Sequence, residues 1–254
     1  VNDYLFSLNP YVKDCRDDWV FILNDDMKLA PDVFMQLLPV MAADPNLFAI
    51  TCNVNDWEGT EETHGLRRFR ITKGSATSYW SDQKADKEKL YHTLYPGGGS
   101  AVFSVQKYNQ LEGFDPLFRP AYAEDLDLGY RAWKMGWPTV YAPKAILYHR
   151  EGATIQIQFE NSALIRKITR NTMAWYLKNI HTPAFLLKFF VYLPYRLVYF
   201  YIYNRNYYFA MKSVLGSLSA ILKARKKASK ASVQSDEQIM KLLNNTPVYT
   251  VQAN

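Results

Sequence analysis

Cysteine is scarce in this chain. Cys15 and Cys52 are the only two among 254 residues, too few for a disulfide framework, so a reducing compartment is the simpler expectation. Residues 1–10 lack the basic start and the apolar run of a secretory signal. The sequence also contains neither a P-loop nor the glycine fingerprint of dinucleotide-binding units. Disulfide-rich scaffolds, P-loop proteins and dinucleotide-binding Rossmann units are therefore set aside.

Acidic residues are nearly missing from one long stretch. Residues 160–230 carry 13 basic side chains and one acidic side chain, whereas residues 1–159 carry 16 basic and 21 acidic. The net charge of +6 therefore hides two regions of opposite sign, which we expect to differ in function. We place a catalytic region at 1–155 and a helical, basic and aromatic region at 156–254.

Hydrophobic patterns predict the order of elements in the first region. Residues 19–23 form a run that is apolar on both faces, which is typical of a central strand covered by helices on both sides. Pro31 suits the first turn of a helix over 31–43. This alternation predicts an α/β fold with a mostly parallel sheet flanked by helices. The other expected elements are a helix over 4–15 broken near Pro10, strands at 47–51, 101–105, 139–142 and 145–148, and helices at 106–111, 124–135, 158–179, 184–203, 205–227 and 235–244.

A polar triplet follows the first buried strand. Asn24, Asp25 and Asp26 come directly after residues 19–23, at the edge where open α/β sheets bind ligands. Their hard oxygen atoms suit Mg²⁺ or Mn²⁺, and such a cation would in turn hold phosphates. The same residues would equally serve as a solvated turn that leads into the next helix.

A second acidic group lies at a predicted helix start. Glu124, Asp125 and Asp127 are three carboxylates within four residues. One interpretation is that they complement the dipole of the helix. The other is that crowding raises their pKa values and prepares one of them to act as a general base. This motif alone leaves both interpretations open.

Two further features are compatible with a ligand site. His149 ends a predicted strand and is either structural or a ligand for a divalent metal. Gly97, Gly98 and Gly99 precede Ser100 in a tight turn. Such a turn allows a ligand to approach the backbone closely, although it is also found as a merely flexible connection.

The order of these motifs resembles that of the inverting family-2 glycosyltransferases with the GT-A fold. The resemblance covers about residues 15–155 and includes rhamnosyltransferase-like enzymes of bacterial surface-polysaccharide assembly. It rests on residues 21–26 (FILNDD), 96–101 (PGGGSA), 113–115 (GFD), 124–131 (EDLDLGYR) and 148–152 (YHREG).

The resemblance implies a metal site and a nucleotide-sugar donor. Asn24-Asp25-Asp26 matches the Asp-x-Asp metal motif of the family, with Asp26 as the direct ligand of Mg²⁺ or Mn²⁺ and Asn24 in a variant first position. His149 matches a histidine that completes the metal site in some members. The activity implied is transfer of a hexose or deoxyhexose to a saccharide or a lipid-linked saccharide.

The resemblance also assigns the remaining residues. Asp125 matches the catalytic base, with Glu124 beside it. Gly97, Gly98, Gly99 and Ser100 would line the pocket for sugar and acceptor. Asp127 and Arg131 would assist substrate binding on the phosphate side.

One part of the family pattern is not found. Members begin with a strand–helix–strand unit that holds the nucleotide, and nothing before Trp19 matches it. We therefore expect an upstream segment of half a domain, without which the sheet is incomplete at its N-terminal part. The activity of this fragment alone is left open.

The basic region is rich in aromatic residues. Residues 182–209 contain 12 of them, interleaved with Lys188, Arg196 and Arg205. Residues 184–203 are long enough to span a bilayer, but the charges inside favour an interfacial helix on an anionic membrane. Packing against the catalytic region and a true span are the alternatives. We expect a peripheral protein at the cytoplasmic face of the plasma membrane.

Three functions remain in competition. The first is the glycosyltransferase just described. The second is a non-catalytic, membrane-associated module that binds a saccharide or a partner. The third is a nucleotidyltransferase, which also uses paired carboxylates and a metal but has less need of a base at Asp125. Nucleic acid is not an expected partner, because the acidic front region would repel a phosphate backbone.

Overall fold

The computed structural model describes residues 4–81, 85–120, 122–150, 162–245 and 248–249. Two short helices open the described part, and the chain breaks between them at Leu8, near Pro10 as expected. The Asn9 side chain fixes the second helix, since it accepts hydrogen bonds from Tyr108 Oη (2.7 Å) and from the Phe114 N–H (3.0 Å). The helices are α1 (Tyr4–Ser7), α2 (Asn9–Asp14), α3 (Val33–Ala43), α4 (Val105–Gln110), α5 (Glu124–Lys134), α6 (Ser162–Asn179), α7 (Pro183–Tyr203), α8 (Arg205–Gly216), α9 (Leu218–Ala231) and α10 (Asp236–Asn245), with a 3₁₀ turn at Pro116–Phe118.

A central sheet positions the motifs. The strands are β1 (Trp19–Leu23), β2 (Met27–Leu29), β3 (Ala49–Asp56), β4 (Glu62–His64), β5 (Arg67–Thr72), β6 (Ser75–Trp80), β7 (Leu90–His92), β8 (Ser100–Ser104), β9 (Thr139–His149) and β10 (Val248–Tyr249). The strand order in the sheet is β1-β8-β3-β9-β7-β10, with β2 paired to β9 and β4 paired to β3, and a separate hairpin is formed by β5 and β6.

The sheet is mixed, which corrects the expected mostly parallel arrangement. Among the described strands, β3 and β9 form the one parallel pair. β8 lies antiparallel between β1 and β3, so β1, β3 and β9 nevertheless run in the same direction. A buried apolar strand shows that both faces are covered but does not show the direction of its neighbours, which is why the sequence pattern misled here. The α/β class with helices flanking the sheet is confirmed.

The direction of the strands brings distant motifs to one edge. The carboxyl ends of β1 and β9 lie on the same side, and Leu23 at the end of β1 pairs with Ser100 at the start of β8. Asn24–Asp26, the glycine turn before Ser100 and His149 therefore meet at that edge. This is the edge where open α/β sheets bind ligands.

Between β4 and β7 the chain forms the β5–β6 hairpin. Its six residue pairs run from Arg67 opposite Trp80 to Thr72 opposite Ser75. Phe69 is fully buried and packs against Tyr130 and Trp175. The hairpin is thereby fastened to α5 and α6.

The predicted helical C-terminal region is present. α6 packs against α8 and α9, and α10 packs against β5 and α5. Buried residues of both parts, among them Trp133, Trp175, Ile221 and Leu243, form one hydrophobic cluster. The predicted helix 205–227 is divided at Ser217. The division into regions 1–155 and 156–254 stays a prediction.

Candidate active site

A cavity of about 1020 Å³ opens at the carboxyl edge of the sheet. Most of the residues that the sequence analysis identified as candidates line this cavity, although they come from distant parts of the chain. Those that do are Asn24, Asp25, Asp26, Gly97, Gly98, Gly99, Ser100, Glu124, Asp125 and His149. Three of them, Gly98, Ser100 and Glu124, are buried in its wall.

Asp26 and His149 form a pair at one end of the cavity. Met27 pairs with His149 in the β2–β9 ladder, and the Arg150 N–H donates to the Asp26 carbonyl. This pairing places Asp26 Oδ2 3.1 Å from His149 Nε2, with about half of the Asp26 side chain exposed. An oxygen and an imidazole nitrogen that converge on a cavity are donors suited to Mn²⁺ or Mg²⁺.

The pair would supply two of the ligands of a metal site. Over the described ranges, no group of three His, Cys, Asp or Glu side chains is arranged to hold an ion. Divalent cations at phosphate-transfer sites are commonly held by one or two carboxylates together with substrate phosphates. Asp26 and His149 therefore fit a metal whose remaining ligands come from a bound diphosphate or from water.

The glycine turn is required by close packing. A Cβ on Gly99 would lie 1.9 Å from Oδ1 of Asn24, and a Cβ on Gly98 would lie 2.6 Å from Leu5 Cδ1. The Gly99 carbonyl also accepts a hydrogen bond of 3.0 Å from the Asn24 N–H. The turn thus fixes the first residue of the Asn-Asp-Asp motif and lets a ligand approach the backbone.

Glu124 and Asp125 stand at the start of α5, and both carboxyl groups have raised pKa values. Burial and the adjacent Asp125 charge raise the pKa of Glu124 to about 8, and its Oε2 has no hydrogen-bond partner in the part of the chain that the structure describes. Burial also raises the pKa of Asp125. The positive charge of Arg67 opposes this effect. Hydrogen bonds to the Asp125 carboxylate also oppose it, and one of them is donated by the Leu126 N–H over 2.7 Å. At neutral pH this environment keeps Glu124 protonated and favours Asp125 as the ionised member.

The backbone before α5 is strained. Tyr122 and Ala123 both have a φ of +72°, a conformation that few non-glycine residues adopt, and both line the cavity. Strain of this kind persists only where the surroundings hold it and is concentrated at functional sites. It turns the N-terminus of α5, and with it Asp125, toward the cavity.

Asp127 and Arg131 require a correction. The Asp127 side chain is fully buried and does not line the cavity. It accepts hydrogen bonds from Lys178 (2.7 Å), Asn179 (2.8 Å) and Arg131 (2.7 Å). Arg131 also donates to the carbonyls of Leu111 and Gly113. The two residues join α5 to α6 in a buried ion network, so we withdraw their predicted role in binding substrate.

The sequence reasoning missed part of the cavity wall. His64, Arg67 and Trp80 line it from β4 and the β5–β6 hairpin. Polar and apolar residues alternate along β5, and this pattern predicts a strand but gives no indication of a ligand. α6 contributes further lining from the region predicted to be separate, namely Ile168, Thr172 and Trp175.

Part of the chain is similar in sequence to curated proteins of known activity. The chain is 26% identical over 153 residues to the N-acetylglucosaminyl-diphospho-decaprenol L-rhamnosyltransferase of Mycobacterium tuberculosis, in the strains CDC 1551 / Oshkosh and ATCC 25618 / H37Rv. The match covers 54% of this chain and 49% of each relative. The chain therefore spans about half the length of the curated relatives it matches.

Solved structures and a family profile complete the comparison. A crystal structure of GalNAc-T7 with UDP, GalNAc and Mn²⁺ superimposes with a TM-score of 0.50 at 13% identity, over 68% of this chain and 35% of that one. A mannosyltransferase from Pyrobaculum calidifontis in complex with GDP-Man and Mn²⁺ has a TM-score of 0.44 at 14% identity, over 95% of this chain and 58% of that one. The profile of glycosyltransferase like family 2 matches residues 5–176, about two thirds of the chain. The chain belongs to glycosyltransferase-like family 2, and its α/β fold is of the GT-A type.

Proposed function

We propose that this cavity transfers a sugar from a nucleotide-sugar donor to a saccharide or lipid-linked saccharide acceptor, with inversion at the anomeric carbon. One observation carries the proposal: the Asp26–His149 pair and the Glu124–Asp125 pair, distant in sequence, line the same cavity. The relatives named above act on an acceptor that is a lipid-linked sugar diphosphate. That chemistry supports, as a candidate, deoxyhexosyl transfer to a lipid-linked acceptor.

Asp26 and His149 would hold the divalent metal. Bound there, Mn²⁺ or Mg²⁺ would neutralise the negative charge that develops on the departing nucleoside diphosphate. Asn24 and Asp25 lie beside the pair in the same turn and line the cavity. We assign Asn24 to shaping the site and Asp25 to its negative field.

Asp125 is the general base of the proposal. Its carboxylate accepts the proton of an acceptor hydroxyl while that oxygen forms a bond to the anomeric carbon. The bond from the anomeric carbon to the diphosphate oxygen breaks on the opposite face, so the configuration inverts. Glu124 remains protonated at neutral pH, because its pKa lies at about 8, and so leaves the base role to its neighbour.

The test removes each carboxylate separately. Asp125→Asn should lower turnover by at least about 10²- to 10⁴-fold and leave donor binding intact, because only the proton acceptor is lost. Glu124→Gln should have a much smaller effect, since the native group is already neutral. Asp14→Asn, at an exposed carboxylate of α2, is the matched control and should behave as wild type.

The outcomes separate the competing functions. Turnover of Asp125→Asn close to that of wild type would refute the base assignment. Donor binding without transfer, across a panel of donors and acceptors with Mn²⁺, would favour a binding module. Release of inorganic diphosphate with formation of a new nucleotide bond would favour a nucleotidyltransferase.

The α7 surface supports attachment to an anionic membrane. α7 has the length and apolar composition of a membrane span, yet only 11% of its most apolar window is buried in the molecule. Its Arg196 is buried and donates to the Lys73 carbonyl (2.6 Å), so this charge faces the protein. Large apolar side chains cover the outer surface: Leu187, Phe190, Val191, Tyr192, Tyr195, Val198, Tyr199, Tyr201, Ile202 and Tyr203.

An interfacial position fits this arrangement better than a span. Arg196 is held against the protein and Gly74 lies against the backbone of Phe189, so one side of α7 is occupied. The opposite side presents aromatic rings suited to headgroup depth, and residues 162–235 contain no acidic side chain that would repel anionic lipid. We infer a peripheral protein at the cytoplasmic face of the plasma membrane.

Cosedimentation with vesicles tests the attachment. The protein should bind vesicles containing phosphatidylglycerol and should bind pure phosphatidylcholine more weakly. Val191→Ser together with Val198→Ser should reduce binding, whereas Val233→Ser, an equally exposed valine outside α7, should not. Equal binding by the double variant and wild type would contradict the assignment of this surface.

A further inference from the structure

Arg67 is a cation in the cavity wall whose guanidinium donates no hydrogen bond to the residues that the structure describes. Within the described chain, its hydrogen bonds involve only the backbone: its N–H donates to Thr93 Oγ1, and its carbonyl accepts from Leu94 N–H and from the Thr93 hydroxyl. No carboxylate of the described residues lies within 4 Å of the guanidinium. The planar fork instead stacks on the ring of Trp80, 3.0 Å from its centroid.

The other arginines of the interior behave differently. Their guanidinium groups all bond to carbonyl, hydroxyl, amide or carboxylate oxygens, as seen for Arg68, Arg131, Arg170, Arg196 and Arg225. Arg67 is only partly buried, and its guanidinium nitrogens remain accessible from the cavity, so an anion bound there would gain charge-assisted hydrogen bonds. Burial lowers the pKa of Arg67. The donors of Arg67 are therefore available to an anion in the cavity.

The position of Arg67 separates this anion from the metal pair. His149 is 6.0 Å from His64 and His64 is 5.1 Å from Trp80, measured between ring centroids, so two ring contacts lie between His149 and the arginine. On its other side Arg67 acts electrostatically on Asp125 without forming an ion pair with it. A molecule that presents a hydroxyl to Asp125 can therefore place a second, anionic group on Arg67.

The same hairpin connects Arg67 to α7. Arg67 and Trp80 are opposite each other at one end of the hairpin, and Lys73 and Gly74 form the turn at the other end. The turn contacts α7, because the Lys73 carbonyl accepts from Arg196. Five residue steps of strand correspond to about 17 Å. A long lipid chain that starts at Arg67 can follow this hairpin to the exposed surface of α7.

We propose that Arg67, stacked on Trp80, is the subsite that binds the diphosphate group of a lipid-linked sugar acceptor. The guanidinium offers a planar fork that binds phosphate oxygens in a bidentate manner. Trp80, which is 37% exposed, offers an apolar surface beside it for the sugar or the first lipid units. The assignment rests on the proposed function for the identity of the acceptor but not for the binding of the anion.

A binding experiment tests the subsite without any turnover. Geranyl diphosphate is titrated into the whole chain by calorimetry in the presence of EDTA, so that no metal draws the anion to Asp26 and His149. Arg67→Gln should weaken binding roughly 10- to 100-fold, as expected for loss of charge-assisted hydrogen bonds. Arg70→Gln, an exposed arginine of the same strand, is the matched control and should bind as wild type.

Two further binding measurements identify the source of the anion and keep the test valid if the variant does not fold. UDP with Mn²⁺ should bind wild type and Arg67→Gln equally, and selective loss of UDP binding would instead assign Arg67 to the donor. Wild type should bind geranyl diphosphate at least about tenfold more tightly than geraniol, a comparison that does not depend on a variant folding. Equal binding of both compounds, or unchanged binding by a folded Arg67→Gln, would overturn the proposal. Absence of sugar transfer would count against the proposed function alone.

Discussion

Asp127→Asn tests whether the carboxylate first predicted to help bind substrate is instead structural. Asp127 is fully buried, and its two oxygens receive three hydrogen bonds, from Lys178, Asn179 and Arg131. Burial alone would raise the pKa of Asp127, but the cations of Lys178 and Arg131 outweigh it and hold the pKa below its ordinary value. The amide removes the negative charge while keeping the shape.

The expected loss of stability depends on the partners that Lys178 keeps in the variant. Removing one partner of a buried ion pair costs about 3–5 kcal/mol, because the other charge is left uncompensated. Lys178 keeps a second carboxylate, Asp115, at 2.6 Å, so we expect the lower end of that range. For a chain of this size, about 3 kcal/mol corresponds to a fall in melting temperature of roughly 6–12 °C.

Thermal unfolding followed by circular dichroism at pH 7 measures the effect. Glu112→Gln makes the same carboxylate-to-amide change in an ion pair with Lys227, in which both side chains are about 70% exposed. It should change the melting temperature by no more than about 2 °C. If the Asp127→Asn protein had the melting temperature of wild type but bound the donor poorly, the structural role of Asp127 would be refuted and its role in substrate binding restored.

Three further predictions concern packing, acid stability and metal binding. Gly74→Ala should lower the melting temperature more than Gly59→Ala. Both glycines have a positive φ, but a Cβ on Gly74 would lie 2.2 Å from the α7 backbone. A Cβ on Gly59 would meet only a tyrosine ring, at 3.0 Å. Burial would raise the pKa of Asp236, but the Lys134 cation and hydrogen bonds hold it low. An ionised carboxylate of this kind stabilises the fold fully at a pH above the pKa that it has in the unfolded chain, near 3.9. This stabilisation is lost as the pH falls through the lower pKa that it has in the folded protein. The melting temperature should therefore be level above about pH 5 and fall below it, less steeply in Asp236→Asn. His149→Ala should raise the Mn²⁺ concentration needed for half-maximal activity at least about tenfold, and an unchanged requirement would remove His149 from the metal site.

The features that local chemistry determines could be predicted from the sequence. The apolar run of β1 and the polar triplet after it lie in adjacent residues, so the strand and the position of Asp26 at its end could be foreseen. The α/β class and the family followed from the order of such motifs. The convergence of Asp26, Asp125 and His149 on one cavity is the geometry expected from that order.

The remaining features depend on contacts between distant residues. Asp127 stands in the same four-residue motif as Asp125, and only its partner Lys178, 51 residues later, shows that it is structural. Arg67 lies in a hairpin that carries no recognisable motif, and only the tertiary structure places it in the cavity wall. The antiparallel direction of β8 likewise depends on tertiary pairing, because its apolar sequence fits either direction.

The position of α6 has a consequence for protein engineering. This helix supplies Lys178 to the interior of the front region and Trp175 to the wall of the cavity. A recombinant piece cut near residue 155, or a chimera that exchanges everything beyond it, would leave Asp127 without its ammonium partner and open the cavity to solvent. Swaps of acceptor preference between relatives should therefore place the junction after residue 179, so that α6 travels with the sheet.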